Sequence, residues 1–282
     1  MLYFLIMDDY VDEPYHELKA HLKALKSVLV AFSGGVDSTL VLAVAKQVLG
    51  DNVLAVTANS PLLPDSEIER ARETAAALGA EHIIVDTREL ENDAFRANPA
   101  DRCYICKLIK FTELDELAVR EGISQVVDGT NLDDMDGSVY RPGLQAVREL
   151  DVISPLAEAG MDKAVIRDLS RELGLQLWNR PAYTCLATRI PYGMPITPDI
   201  LARLERAEAL LEELGATHIR VRLSDVGSAR IEVSPASFER IMAARERIVD
   251  EFKHLGFIYT SLDLVGYRSG SMDEALAEKD IF

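Results

Sequence analysis

The sequence is poor in cysteine and has no long apolar run. Three cysteines among 282 residues do not make a disulfide framework, and an odd count leaves at least one thiol unpaired, which is typical of a reducing cytoplasm. The opening "MLYFLIMDDY" is too short to span a bilayer, and no basic residue precedes its apolar run. We therefore expect a strand or an ordered tail there, with no signal peptide and no membrane anchor.

Positive charge is also scarce. The chain has 30 Lys and Arg against 47 Asp and Glu, a formal net charge of -17 that repels a polyphosphate backbone unless cations gather locally. We expect no nucleic-acid partner. The sequence has no internal repeat and no low-complexity tract, and its 48% hydrophobic content is enough for one large or two modest domains.

Strand and helix patterns alternate in the first part of the chain. The predicted strands are "SVLVAF", "NVLAVTA", "HIIVD" and "QVVDGTN", and the predicted helices are Tyr15–Lys26, Asp37–Leu49, Asp65–Leu78, Tyr104–Glu121 and Asp162–Leu173. Four of these helices stop just before a glycine, which suits a C-cap. The alternation predicts an α/β fold, a doubly wound parallel sheet covered on both faces.

The pattern changes after the Pro- and Gly-rich stretch "WNRPAYTCLATRIPYGMPITP". Beyond it we predict helix Pro198–Leu214, strands "HIRVRL" and "ARIEV", helix Ala236–His254 and strand "FIYTSLDL". These elements indicate a smaller C-terminal α+β domain. The expected division is a first domain at residues 1–180, a linker at 181–197 that carries Cys185, and a second domain at 198–282.

The hexapeptide "SGGVDS", Ser33–Ser38, lies where the first strand meets a helix. Successive backbone N–H groups and a helix N-terminus there form a ready anion site, and the two glycines permit a tight path. The turn lacks the Gly-Lys-Ser/Thr ending of the Walker loop. It therefore favours another use of ATP, in which pyrophosphate is held as a leaving group while the α-phosphate is attacked.

The hexapeptide resembles the "SGGxDS" signature of the PP-loop ATP pyrophosphatases, which have the adenine nucleotide alpha hydrolase-like fold. The resemblance implies phosphate binding by Ser33, Gly34, Gly35 and Ser38, a magnesium role for Asp37, and an adenine pocket lined by Thr57 and Ala58. The loop "DGTNLDD" resembles the family's second nucleotide-side loop, which implies that Gly129 lies near the nucleotide and that Asp133 is a weaker metal candidate.

The three cysteines occur as a C-x-x-C, Cys103 and Cys106, and as Cys185 far downstream. Alone, a C-x-x-C fits half of a zinc site, a redox pair or two inert buried residues. All three cysteines fall in loops expected near the ligand edge of the sheet. Three thiolates leave one coordination place free, as in a 4Fe-4S cluster with three protein ligands. Zinc with a fourth ligand is the alternative.

The chain further resembles the LarE family of PP-loop sulfur transferases over nearly its whole length. The segments that carry this resemblance are "RCYICK", "VVDGTNLDD", "RPG", "SPL", "RPAYTCLATRIPYG", "RVR", "ARIEV" and "GYRSGSM". The resemblance implies adenylation of a carboxylate of pyridinium-3,5-biscarboxylic acid mononucleotide and installation of sulfur as a thiocarboxylate, for nickel-pincer nucleotide biosynthesis. One-cysteine members give up the sulfur of the cysteine that matches Cys185. The three-cysteine pattern here instead implies a cluster whose open iron carries the sulfide.

An arginine cluster is predicted in the second domain. Arg220 and Arg222 share one face of a strand, because side chains alternate along a strand, and Arg230 and Arg268 follow on or after the next strands. Guanidinium forks suit a substrate with one phosphate and two carboxylates. Arg189 and Glu208 are weaker candidates for the same pocket.

Two other function classes are open at this stage. A tRNA thiolase would use the same chemistry, but the acidic charge of the chain disfavours it. A non-catalytic nucleotide sensor would keep the loop without the reaction. The resemblance to LarE also leads us to expect a homo-oligomer, and sulfide or a cysteine-derived group as the sulfur donor.

Overall fold

The computed structural model describes residues 2–136, 141–176, 178 and 183–268, with the backbone alone for residues 2–11. The start of the predicted linker, residues 181–182, and the end of the predicted second domain, residues 269–282, lie outside the described residues. The chain divides into two units. Unit 1 comprises Met1–Glu89 and Asp101–Tyr183, and unit 2 comprises Leu90–Ala100 and Thr184–Phe282.

The described residues contain twelve α-helices and seven strands. The helices are α1 (Leu2–Ala24), α2 (Val36–Leu49), α3 (Asp65–Ala77), α4 (Asp93–Arg96), α5 (Arg102–Arg120), α6 (Leu132–Met135), α7 (Gly143–Glu149), α8 (Pro155–Glu158), α9 (Lys163–Glu172), α10 (Pro198–Glu213), α11 (Phe238–Ala243) and α12 (Arg245–His254). The strands are β1 (Val28–Ala31), β2 (Val53–Asn59), β3 (Glu81–Asp86), β4 (Gln125–Val127), β5 (Arg220–Asp225), β6 (Ser228–Glu232) and β7 (Tyr259–Leu262). No helix in this part of the chain combines the length and apolarity of a membrane span.

Unit 1 is built on a four-stranded parallel sheet in the order β3-β2-β1-β4. Val28 of β1 pairs with Val53 of β2 on one side and with Gln125 of β4 on the other. The chain therefore runs outward from β1 in one direction and then returns to its other side. Ligands of open α/β sheets bind at such a reversal of strand order, beyond the carboxyl ends of the strands.

Helices cover both faces of this sheet, because alternate residues of the central strands point to opposite sides. Val28 and Val30 pack in one core with Leu40 of α2 and Ile166 of α9. Leu29 packs in a second core; its partners there include Leu54 and Val56 of β2 and Phe111, Leu114 and Leu117 of α5. The predicted doubly wound α/β fold is confirmed.

Unit 2 holds a smaller three-stranded sheet in the order β5-β6-β7. Strands β5 and β6 are antiparallel, whereas β6 and β7 are parallel and are joined through α11 and α12. Arg222 lies opposite Arg230, and Arg220 lies opposite Glu232. The register therefore gives every basic residue of β5 a charged neighbour on β6.

Two element predictions are wrong. The N-terminal segment predicted as a strand or tail belongs to α1, which contains Pro14 in its interior. The apolar spacing that predicts a helix starts only at Tyr15, whereas α1 starts at Leu2. The helix predicted over Ala236–His254 is interrupted at Ala244, whose φ of -93° and ψ of 9° are not those of a regular α-helix.

Candidate active site

The hexapeptide Ser33–Ser38 joins the end of β1 to the first turn of α2. Two hydroxyls face each other across this turn: Ser33 Oγ and Ser38 Oγ are 3.0 Å apart. The backbone N–H of Ser33 donates to Ser38 Oγ, and that of Gly35 donates to Ser33 Oγ. Gly35 caps α2 in an extended conformation. Hydroxyls, backbone N–H groups and the N-terminus of a 14-residue helix thus converge on one point, a suitable place for an anion.

Glycine is required at two positions around this turn. Gly34 has a φ of +68°, a left-handed conformation, and a methyl group there would lie 3.1 Å from the backbone of Ala71 in α3. Gly129, just after β4, lies against the turn, and a methyl group there would be 2.9 Å from the backbone nitrogen of Ser38. The loop after β4 is therefore in direct contact with the hexapeptide, as the strand order requires.

Asp37, in the first turn of α2, forms an ion pair with Lys163 through its Oδ2 atom. Its Oδ1 atom is buried and accepts no hydrogen bond from any residue that the structure describes. Burial raises the pKa of the Asp37 carboxyl above its usual value, although Lys163 acts in the opposite direction. A buried carboxylate oxygen without a donor fits a ligand for Mg²⁺, which binds one or two carboxylates together with substrate phosphates.

Asp133, the weaker metal candidate, has another partner. Its Oδ2 atom accepts a hydrogen bond of 2.9 Å from the backbone N–H of Lys163, at the start of α9. Asp162, the N-cap of α9, accepts from Val165 at 2.8 Å. The first turn of α9 is therefore fixed beside the hexapeptide by two carboxylates. Lys163 was missed in the sequence because only the fold brings it to Asp37.

The Thr57 hydroxyl is part of the frame at the end of β2. It donates to the carbonyl of Phe32 at 2.7 Å and lies 2.8 Å from His82 Nε2 on β3. Since the hydroxyl donates its one hydrogen to the carbonyl of Phe32, it accepts a hydrogen bond from His82, which assigns the imidazole N–H to Nε2. Burial, together with nearby Arg72, lowers the pKa of His82 below its usual 6.5. Thr57 positions the strand end, and its neighbour Ala58 is half-buried.

Cys103 and Cys106 lie in the first two turns of α5, one helical turn apart, in unit 1. Neither forms a disulfide bond. Residue Cys103 is exposed, and the Sγ of Cys106 is 3.9 Å from Oε1 of Glu89. The helix begins two residues earlier than the predicted Tyr104, so both cysteines are inside it.

Glu89 is a fully buried carboxylate beside Cys106 that sequence reasoning missed. It accepts hydrogen bonds from Ser60 at 2.9 Å and Thr87 at 2.8 Å, and it lies 3.0 Å from Lys110 Nζ on α5. Burial raises the pKa of Glu89, but Lys110 and the hydrogen bonds outweigh that effect and hold the pKa below its usual value. The ends of β2 and β3 are therefore tied to the cysteine helix by one charge.

Cys185 lies in unit 2, where it caps a short 3-10 helix, Leu186–Arg189. Arg189 is fully buried and forms a two-pronged ion pair with Glu208 of α10, with distances of 2.8 and 2.9 Å. Its Nη1 group donates to the carbonyls of Thr184 and Cys185 and to the hydroxyls of Thr184 and Thr188. This guanidinium therefore holds the turn that carries Cys185.

Three arginines of the predicted cluster, Arg222, Arg230 and Arg268, share two acidic residues. Arg222 and Arg230 both donate to the fully buried Glu232, at 2.8 and 2.9 Å. Arg230 and Arg268 both approach Asp263, at 3.7 Å. The side chain of Arg222 is only 6% exposed, against 37% for Arg230 and 34% for Arg268. These arginines therefore form a cluster, in which the side chains of Arg230 and Arg268 are partly exposed and that of Arg222 is buried.

Arg220 and Arg222 also have fixed positions. The guanidinium of Arg220 lies over the ring of Tyr267, 5.2 Å from its centroid. Arg222 donates to the carbonyl of Thr188 at 2.7 Å and so connects β5 to the turn of Cys185. Among the described residues, no group of three or more His, Cys, Asp or Glu side chains is placed to hold a metal ion.

Comparison with known proteins identifies relatives of this chain. The profile of the asparagine synthase family matches residues 15–103, which include the hexapeptide. A pyridinium-3,5-bisthiocarboxylic acid mononucleotide synthase of Lactiplantibacillus plantarum is 40% identical over 94% of this chain and 95% of its own. The chain belongs to the LarE family.

Two further relatives differ in how much of their own length they share with the chain. An uncharacterised protein of Synechocystis is 42% identical over 95% of this chain and 100% of its own length. The glutamine-hydrolysing GMP synthase of Aeropyrum pernix is 29% identical over 73% of this chain but only 43% of its own. The LarE chain is thus an enzyme of the PP-loop ATP pyrophosphatase family, with ATP-dependent sulfur transfer as its reaction class.

Proposed function

We propose that this LarE chain adenylates a carboxylate of pyridinium-3,5-biscarboxylic acid mononucleotide and replaces the activated oxygen with sulfur. The main support is the near full-length identity to a synthase named for the bisthiocarboxylic acid product. The anion-binding turn of Ser33–Ser38, which lacks its own lysine, supports the activation half of the reaction.

In the activation step a carboxylate oxygen of the substrate attacks the α-phosphorus of ATP. An O–P bond forms, the bond to the β-phosphate breaks, and pyrophosphate leaves with its electron pair. The backbone N–H groups at the start of α2 and the hydroxyls of Ser33 and Ser38 bind the pyrophosphate. Fixed donors of this kind stabilise charge as it develops on the leaving group. Gly129 and the strand ends at Thr57 and Ala58 border the nucleotide.

Magnesium would bind at Asp37, through the Oδ1 atom that has no donor among the described residues. The ion supplies charge neutralisation on the phosphates when it is bound. Asp133 is the less suitable ligand, since its Oδ2 already accepts the N–H of Lys163.

In the sulfur step the sulfur donor, sulfide or a cysteine-derived group, attacks the activated carboxyl carbon. A C–S bond forms and the C–O bond to AMP breaks. With sulfide the product is a thiocarboxylate. With a cysteine thiolate it is a thioester, and the Cβ–S bond of that cysteine must then break by β-elimination, with loss of the α-proton, to leave the thiocarboxylate and dehydroalanine. Cys103, Cys106 and Cys185 would be the three protein ligands of a 4Fe-4S cluster, which supplies an open iron position when it is bound. Three thiolates match the number of protein ligands in such a cluster, but among the described residues no three His, Cys, Asp or Glu side chains are placed to hold a metal ion. Glu89 and Lys110 hold the cysteine helix, and Arg189 with Glu208 holds the Cys185 turn.

The substrate carries one phosphate and two carboxylates, which matches the arginine cluster of unit 2. Arg230 and Arg268 have more exposed side chains than Arg222, so we assign the phosphate to them. Arg220 and Arg222 hold strand β5 and the Cys185 turn in position for this contact.

The test is anaerobic purification followed by three measurements: iron and sulfide content, pyrophosphate release, and the mass of both substrate and protein. We expect iron in the wild type, its loss in Cys103→Ser, and pyrophosphate release only with the pyridinium mononucleotide. Lack of iron, with loss of one sulfur from Cys185 per turnover, would show that Cys185 is sacrificed. Pyrophosphate release that depends on tRNA instead would identify a tRNA thiolase.

A further inference from the structure

The hexapeptide contains no lysine, but a lysine from a distant part of the chain contacts it. Lys163, the first residue of α9, forms an ion pair with Asp37, although 126 positions separate the two residues in the sequence. The backbone N–H of Lys163 donates to Asp133, and the N-cap Asp162 also fixes the first turn of α9 through the N–H of Val165. The ammonium group thus reaches the anion-binding turn from a rigid base.

The charge on Asp37 is only partly compensated by this contact. One carboxylate oxygen faces Lys163, while the other is buried and has no donor among the described residues. The side chain of Lys163 is 29% exposed, so the ammonium group has room to move. A divalent cation on Asp37 would repel the ammonium group at contact distance, because two positive charges then share one carboxylate.

Other cations at this edge of the sheet are paired with other carboxylates: Lys107 lies 3.8 Å from Asp128, and Lys110 lies 3.0 Å from the buried Glu89. Arg141 forms an ion pair with Asp134, which itself belongs to the capping box of α6. A polyphosphate needs positive charge close to the turn, and lysine binds phosphate well as a compact point charge. Lys163 is the cation that lies against the first turn of α2.

We propose that Lys163 is an exchangeable counter-ion of the nucleotide site. It neutralises Asp37 while the turn is empty, which disfavours metal binding without nucleotide. When the metal and the nucleotide enter together, the metal takes Asp37, and Lys163 moves to the β- and γ-phosphates that leave as pyrophosphate. This inference rests on the proposed ATP site and adds Lys163 to it as a phosphate ligand.

The test uses Lys163→Met, which removes the charge and keeps much of the length of the side chain. Mn²⁺ binding without nucleotide is measured by electron paramagnetic resonance, and binding of magnesium pyrophosphate by calorimetry. We expect Mn²⁺ to bind at least about tenfold more tightly, because its competitor on Asp37 is gone. We expect pyrophosphate to bind at least about tenfold more weakly, because a charge-assisted contact is lost.

Two further variants complete the design. Lys163→Arg keeps the charge, and its pyrophosphate affinity should stay within about threefold of the wild type. Lys46→Met removes one charge from the far end of α2, where Lys46 pairs with exposed Asp51, and both constants should stay within about twofold.

The pattern of the two constants decides between the explanations. A merely structural lysine would shift both affinities in the same direction or neither, and either result would overturn the proposal. If the wild type binds ATP and pyrophosphate and Lys163→Met changes neither constant, the counter-ion proposal is rejected. The proposed function is not affected by that result. No binding of ATP or pyrophosphate to the wild type would reject both.

Discussion

Removing the charge of Glu208 should destabilise unit 2 strongly. Glu208→Gln keeps the shape of the side chain but leaves the guanidinium of Arg189 buried without a counter-ion. Arg189 is fully buried, and both of its contacts to Glu208 are shorter than 3 Å. Breaking one side of such a pair costs about 3–5 kcal/mol. Glu208 also accepts the backbone N–H of Val221 at 2.8 Å, so β5 loses part of its support as well.

The same helix offers a matched control. Glu213 at the end of α10 pairs with Arg247 at 3.1 Å, but both side chains are more than half exposed. Exposed pairs contribute about 0–1 kcal/mol. Urea unfolding followed by far-UV circular dichroism gives the free energy of unfolding of each variant. If Glu208→Gln loses no more than Glu213→Gln, the view of Arg189 as a buried charge that depends on its partner is refuted.

Three more substitutions test other parts of the site. Gly129→Ala should weaken ATP binding about five- to 150-fold, since a contact of 2.9 Å with the backbone of Ser38 forces a shift of the turn that costs about 1–3 kcal/mol. Gly227→Ala, where the nearest contacts are side-chain atoms of Ile258 and Asp225, should leave ATP binding unchanged. Equal effects of the two variants in calorimetry would contradict the steric argument. Because the pKa of His82 is lowered in the folded state, the unfolded state binds more protons near pH 6.5. The free energy of unfolding of the wild type should therefore fall, relative to that of His82→Gln, as the pH falls through about 6.5. A difference between the two proteins that does not change with pH would exclude this titration. Arg268→Met should weaken binding of the pyridinium mononucleotide at least about tenfold, because a phosphate contact to a charged donor contributes about 1.5–3 kcal/mol. Binding of ATP should not change. Loss of both affinities would show that Arg268 does not belong to the substrate site.

Local patterns in the sequence carried much of the fold. Strands β1 to β3 and helices α2, α3, α9 and α10 fall within one residue of their predicted positions, because each has a clear apolar period and an end signal such as Asp162 or Gly50. Strand β4 begins at Gln125 as predicted but ends at Val127, four residues before the end of the predicted strand. The interruption at Ala244 has no such signal. The sequence "SFERIMAARERIVD" remains helical in composition on both sides of it.

Long-range pairs were beyond the reach of sequence reasoning. Asp37 was predicted as a functional residue from its motif, whereas its partner Lys163 carries no motif and is brought near by the position of α9. Glu89 and Glu232 were missed for the same reason, since a buried carboxylate cannot be told from an exposed one by its letter. Their cationic partners were visible only as charges on a helix or strand. The oligomeric state stays a prediction.

Unit 2 is built from two separate segments of the chain, and this affects when it can fold during synthesis. Residues Leu90–Ala100 leave the ribosome early, but the rest of their unit starts only at Thr184. Asn98 within that segment is fully buried, and its side-chain amide donates to the carbonyls of Pro191 and Met194. Until those residues emerge, this amide has neither its acceptors nor its shelter from water. A fragment that begins at Thr184 would lack Asn98 altogether, so the second unit is complete only when the whole chain is.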